Sequence, residues 1–210
     1  MGNRGILRAF IESHAHPGGF VGMLAALHMI HDNRDANYWT VGLLGINPTD
    51  RVLEVGFGPG LAIQKVAAIV SQGLVAGVDS SETMLKLARK RNAAGIAAGR
   101  VELKKGDISS LPYPSDSFDK VLAVNVIYFL AEPVANLQQV YRVTKPGGRV
   151  AFFLEAKEKL AKMGALLDGV YTLYTAEQVI QLLHQAGFAR AWFETRVFNY
   201  GAGICVLGEK

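Results

Sequence analysis

Three glycines stand on alternate positions, Gly56, Gly58 and Gly60, directly after the short apolar run of residues 51–55. Because glycine has no Cβ, a turn built from it can bend sharply and let a ligand approach the backbone closely. The N–H groups of a helix that begins after such a turn point at that ligand and suit nucleotide-like groups. We therefore predict a cofactor site over residues 51–60.

Two side chains beside the glycines bear on the kind of ligand. Glu54 lies two residues before the first glycine, where its carboxylate would repel a pyrophosphate and suit a cationic or zwitterionic ligand. Leu61 stands where the dinucleotide pattern Gly-x-Gly-x-x-Gly/Ala requires a small residue. Both features disfavour a nicotinamide-dependent oxidoreductase.

Asp79 ends the next predicted strand, in the run Val75–Ser81. A carboxylate at this place can accept both hydroxyls of a ribose, and its distance from the glycine turn suits such folds. The alternative is a helix cap, since Asp79, Ser80 and Ser81 could each cap the helix that follows. The glycine turn favours the ribose interpretation.

Two later positions complete the candidate site. After the third strand, Gly106 precedes Asp107, which could accept a proton from the exocyclic amine of adenine while Ile108 and Met84 contact the ring faces. Asp107 could instead form an Asx-turn in a loop. Asn125 is the polar residue near the end of an apolar strand, and its amide needs partners, so we expect it to face the site.

From residue 50 onward, strand and helix patterns alternate, which predicts a parallel sheet with helices on both faces. We predict strands at about 51–56, 74–79, 101–104, 119–126, 149–154, 189–196 and 202–208. The intervening helices are predicted at about 60–71, 81–94, 133–143 and 175–186. The last two strands have no helix between them and should pair antiparallel through residues 199–201. In such sheets ligands lie at the carboxyl ends of the strands.

Bulk properties fit one domain, residues 49–210, preceded by a helical extension over residues 1–48. Lys and Arg number 22 against 18 Asp and Glu, which is a small excess of positive charge. Part of this excess is clustered over residues 83–105, and such a cluster is typical of a solvated helix face. We therefore expect no nucleic-acid partner. The single cysteine, Cys205, excludes an intrachain disulfide and indicates core packing. The first residues lack a signal-peptide layout, so we expect a cytoplasmic protein.

Taken together, these motifs resemble the class I S-adenosylmethionine-dependent methyltransferases of the small-molecule, UbiE-like group, over about residues 40–208. The resemblance includes residues 145–148, the turn before the fifth strand. It implies a Rossmann-like α/β sheet of order 3-2-1-4-5-7-6 with strand 7 antiparallel, and an N-terminal lid. The expected cofactor is S-adenosyl-L-methionine, with S-adenosyl-L-homocysteine as product. The predicted cofactor-binding residues are Glu54, Gly56, Phe57, Gly58, Gly60, Asp79, Ser80, Met84, Gly106, Asp107, Ile108 and Asn125.

The predicted activity is in-line methyl transfer (EC 2.1.1.-) to a small organic acceptor, which needs orientation in a dry pocket more than a covalent catalyst. Candidate groups near the acceptor are Asn125, Tyr128, Tyr38, His28 and His31. The run from Asn125 to Tyr128 stands where amino-group methyltransferases carry Asn-Pro-Pro-Tyr, but both prolines are absent.

We expect no metal, no stable membrane insertion, and a monomer or homodimer. The alternatives are a phospholipid-headgroup methyltransferase and a non-catalytic S-adenosylmethionine-binding module.

Overall fold

A computed structural model describes residues 34–157 and 172–210. Within these residues, strands form one sheet of order β3-β2-β1-β4-β5-β7-β6, which confirms the predicted topology. The strands are β1 Arg51–Val55, β2 Leu74–Asp79, β3 Val101–Lys105, β4 Phe118–Val124, β5 Thr144–Glu155, β6 Arg190–Phe198 and β7 Gly201–Glu209. The pairs among β1 to β5 are parallel, whereas β7 runs antiparallel to both β5 and β6, as expected.

Helices cover both faces of this sheet. They are α1 Arg34–Leu43, α2 Leu61–Ala67, α3 Glu82–Arg91, α4 Ala93–Ala97, α5 Pro133–Val143 and α6 Ala176–Ala186, with 3-10 turns at Ile108–Ser110 and Ile127–Phe129. The predicted capping box of α6 is present, since Thr175 and Gln178 exchange side-chain and backbone hydrogen bonds. Pro133 occupies the first turn of α5, as its fixed φ favours.

The alternation of side chains along the strands divides most buried residues between two large cores, beside a small third cluster of Ala36, Phe153 and Phe198. One core joins the odd-numbered residues Leu53 and Val55 of β1 to apolar side chains of α5 and α6. The other joins Val52 and its neighbours to α1, α2 and α3, and contains the buried thiol of Cys205, which confirms its predicted core position. Glu54 lies on the same face of β1 as Val52 and therefore points towards the α1 and α2 side.

Three predicted boundaries were wrong. Strand β5 begins at Thr144, so residues 145–148 form an irregular start of the strand, with a register shift against β4 and a positive φ of 73° at Gly147. The helix predicted at 81–94 ends at Arg91, because Asn92 leaves helical geometry and bonds the carbonyl oxygens of Ala88 and Gly60 at 2.9 and 3.1 Å. The helix predicted at 60–71 ends at Ala67.

Part of the basic stretch holds backbone groups. The guanidinium of Arg91 donates to the Pro59 carbonyl oxygen at 2.9 Å, and that of Arg89 donates to the Leu103 carbonyl oxygen at 3.4 Å. Arg91 therefore links α3 to the glycine turn, and Arg89 links α3 to β3. In the part of the chain that the structure describes, we find no helix long and apolar enough to cross a membrane.

Candidate active site

A cavity of about 550 Å³ lies at the carboxyl ends of the parallel strands. Most of the predicted cofactor residues contribute to its wall: Gly56, Gly58, Asp79, Ser80, Met84, Gly106, Asp107, Ile108 and Asn125. A smaller cavity adjoins the same glycine turn, and Glu54 and Phe57 line it. The topology therefore brings residues from four separate loops to one edge of the sheet, as parallel strands require.

The three glycines of the turn have positive φ angles, 68° at Gly56, 51° at Gly58 and 80° at Gly60. The N–H of Gly56 donates to the Val78 carbonyl oxygen at 2.7 Å, and a Cβ on Gly56 would lie 2.5 Å from a methyl group of Val126. Glycine adopts such angles with little strain. Because Gly56 and Gly58 carry no side chain, their backbone itself forms part of the cavity wall.

Gly60 has a different neighbourhood. A Cβ there would lie 2.9 Å from the Ala88 Cβ and 2.6 Å from the Asn92 amide nitrogen. Gly60 therefore allows close packing of α2 against α3, and it is absent from the wall of either cavity. Phe57 is buried in the core of the α2 and α3 side.

Asp79 links the end of β2 to the glycine turn. Its Oδ2 accepts the N–H of Gly58 at 2.8 Å, and its Oδ1 accepts the N–H of Ser81 at 2.8 Å. Burial raises the pKa of the Asp79 carboxyl, and these N–H groups oppose that shift. The cap of α3 is Ser81, whose Oγ accepts the Met84 N–H at 3.3 Å. Each Asp79 oxygen has a second lone pair, so the carboxylate can still accept ribose hydroxyls.

Glu54 is 2% exposed, and its Oε2 has no hydrogen-bond partner among the described residues. Burial raises the pKa of the Glu54 carboxyl well above its ordinary value, the Ile63 N–H lowers it, and the charge of Asp79 raises it. An unpaired buried charge is costly. The smaller cavity that this side chain lines also includes Gly56, Gly58 and Asn37, so a cationic group bound there would relieve the cost. The site thus fits the ammonium end of a zwitterionic ligand.

On the β3 side of the main cavity, Asp107 caps a 3-10 turn by accepting the Ser109 N–H on its Oδ1 at 2.8 Å. The Asx-type arrangement that the sequence left open is therefore present. The other carboxylate oxygen remains able to accept a hydrogen bond from a ligand amine. Ile108 and Met84 are buried and line the cavity nearby, so apolar contacts to a planar ring are available.

Asn125 and Tyr128 interact with one another at the end of β4. Asn125 has a φ of 58°, and its N–H donates to the Phe153 carbonyl oxygen at 3.0 Å. The Tyr128 hydroxyl donates to Asn125 Oδ1 at 3.4 Å and accepts the Glu155 N–H. Because Tyr128 is only 3% exposed, its ring is part of the core.

Of the remaining candidates near the acceptor, Tyr38 does not line the main cavity. Tyr38 lies on α1, with the Lys65 ammonium 5.1 Å from its ring centroid, and it lines a separate surface groove. His28 and His31 lie outside the described residues. Within the described ranges we find no group of three His, Cys, Asp or Glu side chains arranged to hold a metal ion. The predicted ligand contacts themselves stay predictions.

The sequence reasoning missed the first turns of α5. Glu132, Ala135 and Asn136 line the main cavity, and Asn136 is buried. Asn136 precedes the apolar stripe of Leu137, Val140 and Val143, so a polar residue on the buried face of a predicted helix was the available signal.

Known proteins resemble this chain over most of its length. Residues 53–152 match the Methyltransf_11 family, a methyltransferase domain. The uncharacterized methyltransferase YdaC of Bacillus subtilis is 37% identical over 188 residues, covering 90% of this chain and 98% of that protein. A demethylmenaquinone methyltransferase of Mycobacterium sp. (strain KMS) is 29% identical over 191 residues, covering 80% of this chain and 78% of that protein.

Among solved structures, a Haemonchus contortus N-methyltransferase in complex with phosphomonomethylethanolamine and S-adenosylhomocysteine has the same fold, with a TM-score of 0.75 and 20% identity. The match covers 97% of this chain and 60% of that one. The chain belongs to the class I S-adenosylmethionine-dependent methyltransferases, in the UbiE-like group that its motifs indicated. S-adenosylmethionine is accordingly its cofactor, and it is a methyltransferase.

Proposed function

We propose that the protein transfers a methyl group from S-adenosylmethionine to a small organic acceptor by in-line displacement. In this proposal the cofactor extends along the cavity, with its ammonium at Glu54, its ribose on Asp79 and its adenine at Asp107. Met84 and Ile108 contact the two faces of the base. Both aliphatic side chains line the cavity beside Asp107, which supports this placement.

The observation that carries the proposal is the unpaired Oε2 of Glu54. It is buried beside the glycine turn, and the nearby carboxylate of Asp79 raises its pKa further. A pyrophosphate would add negative charge to two acids already close together, whereas an ammonium would compensate them. S-adenosylmethionine carries both an ammonium group and a ribose, which matches the order of Glu54 and Asp79 along this edge of the sheet.

The sulfonium supplies a methyl group that is already activated for transfer, so the residues of this chain need only bind, orient and exclude water. Orientation of two reactants in a pocket can lower the free-energy barrier of the reaction by about 7–11 kcal/mol. The glycine turn and Asp79 hold one reactant. The apolar side chains of Val126, Phe129 and Leu130 form part of the wall from which water would be excluded.

A quinone-type ring is the acceptor class that the relatives favour. Several curated relatives are named demethylmenaquinone methyltransferases or ubiquinone/menaquinone biosynthesis C-methyltransferases. The apolar wall at Phe129 and Leu130 is compatible with such a ring. A phospholipid headgroup acceptor and a non-catalytic binding role find less support, because these relatives are named as enzymes of quinone methylation. Cytoplasmic location, a monomer or homodimer, and a domain boundary near residue 48 belong to the same proposal.

Two measurements test this function. Calorimetry should detect binding of S-adenosylhomocysteine but none of NAD or NADP; tight NAD binding without S-adenosylhomocysteine binding would overturn the assignment. Transfer of a labelled methyl group should then be screened over quinols, phenols, amines, thiols and acids. Methylation of a quinol or phenol is the expected result. Cofactor binding without transfer to any acceptor, under conditions that support a known methyltransferase, would favour the non-catalytic role.

A further inference from the structure

Asn136 is a buried polar side chain that faces the main cavity without an assigned role. It lies on the first turn of α5 and is 8% exposed. Its backbone N–H donates to the Glu132 carbonyl oxygen at 2.9 Å, as the helix requires. Within residues 34–157 and 172–210 we find no hydrogen bond to its carboxamide, and the side chain contributes to the cavity wall.

The polar atoms of this carboxamide are not sealed in the core, because they reach the cavity, where a ligand can replace the water that contacts them. Helix α5 does not need a polar residue at this point, since its neighbours Leu137 and Val140 are fully buried apolar residues of the core. The polar atoms of Asn136 therefore match a ligand in the cavity better than they match the protein around them.

The position of α5 indicates which part of the ligand is near. This helix packs against the 3-10 turn Ile108–Ser110, and Ile108, Ser109 and Asn136 share the cavity wall. In the proposed function this end of the cavity holds the adenine. In this placement Asn136 lies beside the base, on the same part of the wall as Ile108 and Ser109.

We propose that Asn136 reads the amino-substituted edge of adenine, an inference that rests on the proposed cofactor placement. An ionised carboxylate such as that of Asp107 can only accept hydrogen bonds, here from the exocyclic amine. A carboxamide can accept from the amine and donate to the neighbouring ring nitrogen, which is the bidentate pattern by which asparagine recognises adenine. The ring nitrogen in this pattern is N7. On that edge hypoxanthine presents two acceptors, O6 and N7, so the carboxamide oxygen has nothing to accept from and the pair of hydrogen bonds cannot form.

The test compares S-adenosylhomocysteine with S-inosylhomocysteine, which carries oxygen in place of the amine. Calorimetry should show that the unaltered protein binds the adenine compound more tightly. In Asn136→Leu the ratio of the two dissociation constants should fall by about 5- to 150-fold, the range expected for a bidentate base contact. Gln138→Leu, on an exposed position of the same helix, should leave the ratio unchanged.

Asn136→Asp provides a second variant of nearly the same shape. It can accept from the amine but cannot donate to the ring nitrogen, so its ratio should fall between those of the unaltered protein and Asn136→Leu. An unchanged ratio in both folded variants, with S-adenosylhomocysteine still bound, would overturn the role of Asn136 and leave the proposed function intact. No binding of S-adenosylhomocysteine by the unaltered protein would overturn the proposed function itself.

Discussion

Replacing Glu54 by glutamine keeps the shape of the side chain and removes its negative charge. The carboxylate is buried at the end of β1, and its Oε2 has no partner among the described residues. If it holds the ammonium of the cofactor, the change removes one charge-assisted hydrogen bond, which contributes about 1.5–3 kcal/mol. The dissociation constant of S-adenosylhomocysteine should therefore rise by about 10- to 150-fold.

The same substitution should stabilise the protein when no cofactor is bound. Burial raises the pKa of Glu54 above its ordinary value of 4.5, so the folded chain holds this proton more tightly than the unfolded chain. The free energy of unfolding therefore falls as the pH rises from about that ordinary value through the raised pKa of the folded state. Glutamine does not titrate, so ligand-free Glu54→Gln should have the higher melting temperature at neutral pH, and the difference should shrink in acid.

Whereas the stability of the ligand-free protein should fall as the pH rises, its affinity for the cofactor should rise. An ammonium group binds the ionised carboxylate, so the affinity of the unaltered protein should rise as the pH passes through the raised pKa of Glu54. The variant should lose that part of the pH dependence, although Asp79, whose pKa burial also raises, remains. Calorimetry with S-adenosylhomocysteine across pH and thermal unfolding without ligand measure the two effects separately.

Asp50→Asn is a suitable control, because Asp50 is a buried acid at the other end of β1 whose Oδ2 accepts the Asn47 N–H at 2.8 Å. It should alter stability without altering affinity for S-adenosylhomocysteine. Unchanged affinity in Glu54→Gln, combined with a raised melting temperature, would refute the ammonium contact. It would leave Glu54 as a purely structural acid.

Three further substitutions separate ligand contacts from packing. Asp79→Ala should weaken S-adenosylhomocysteine binding by about 10- to 150-fold through lost charge-assisted bonds, and unchanged affinity in calorimetry would leave Asp79 with only its structural bonds to Gly58 and Ser81. Gly60→Ala, at a φ of 80°, should cost about 1–3 kcal/mol of stability in denaturant unfolding by overpacking; a stable variant with impaired binding would contradict this. Tyr128→Phe should cost about 0.5–1.5 kcal/mol for each hydrogen bond that its hydroxyl makes to Asn125 and Glu155 and should change the cofactor affinity less than Asp79→Ala; the reverse ranking would place the hydroxyl in the site.

The sheet was predictable because each strand has a local signature that the tertiary structure preserves. Apolar runs of five or six residues end at Gly56 and Asp79, and short loops follow them, so few alternative topologies exist. The antiparallel pairing of β6 and β7 follows from the lack of room for a helix near residues 199–201. Helix ends were less accurate, since they depend on tertiary bonds such as that of the Asn92 side chain to the Gly60 carbonyl oxygen.

The candidate site was predictable only where its residues follow strands. A position at the end of a parallel strand has a fixed relation to the sheet edge, which is why Asp79 and Asp107 could be identified from order alone. Asn136 comes from a helix, where its orientation depends on how α5 packs against the 3-10 turn. Gly60 matched the glycine pattern, but its reason for being glycine is contact between two helices, which no local pattern reveals.

The loop after β4 shows how the fold determines the shape of the candidate site. Asparagine tolerates the left-handed backbone of Asn125 better than most residues, and its N–H pairs with β5. The Tyr128 hydroxyl then joins Asn125 Oδ1 to the Glu155 N–H, while Val126 fills the space left by the missing Cβ of Gly56. In the Asn-Pro-Pro-Tyr run of amino-group methyltransferases, prolines fix φ. Here hydrogen bonds restrain the loop, so the buried tyrosine positions the cavity wall, and its presence does not indicate a nitrogen acceptor.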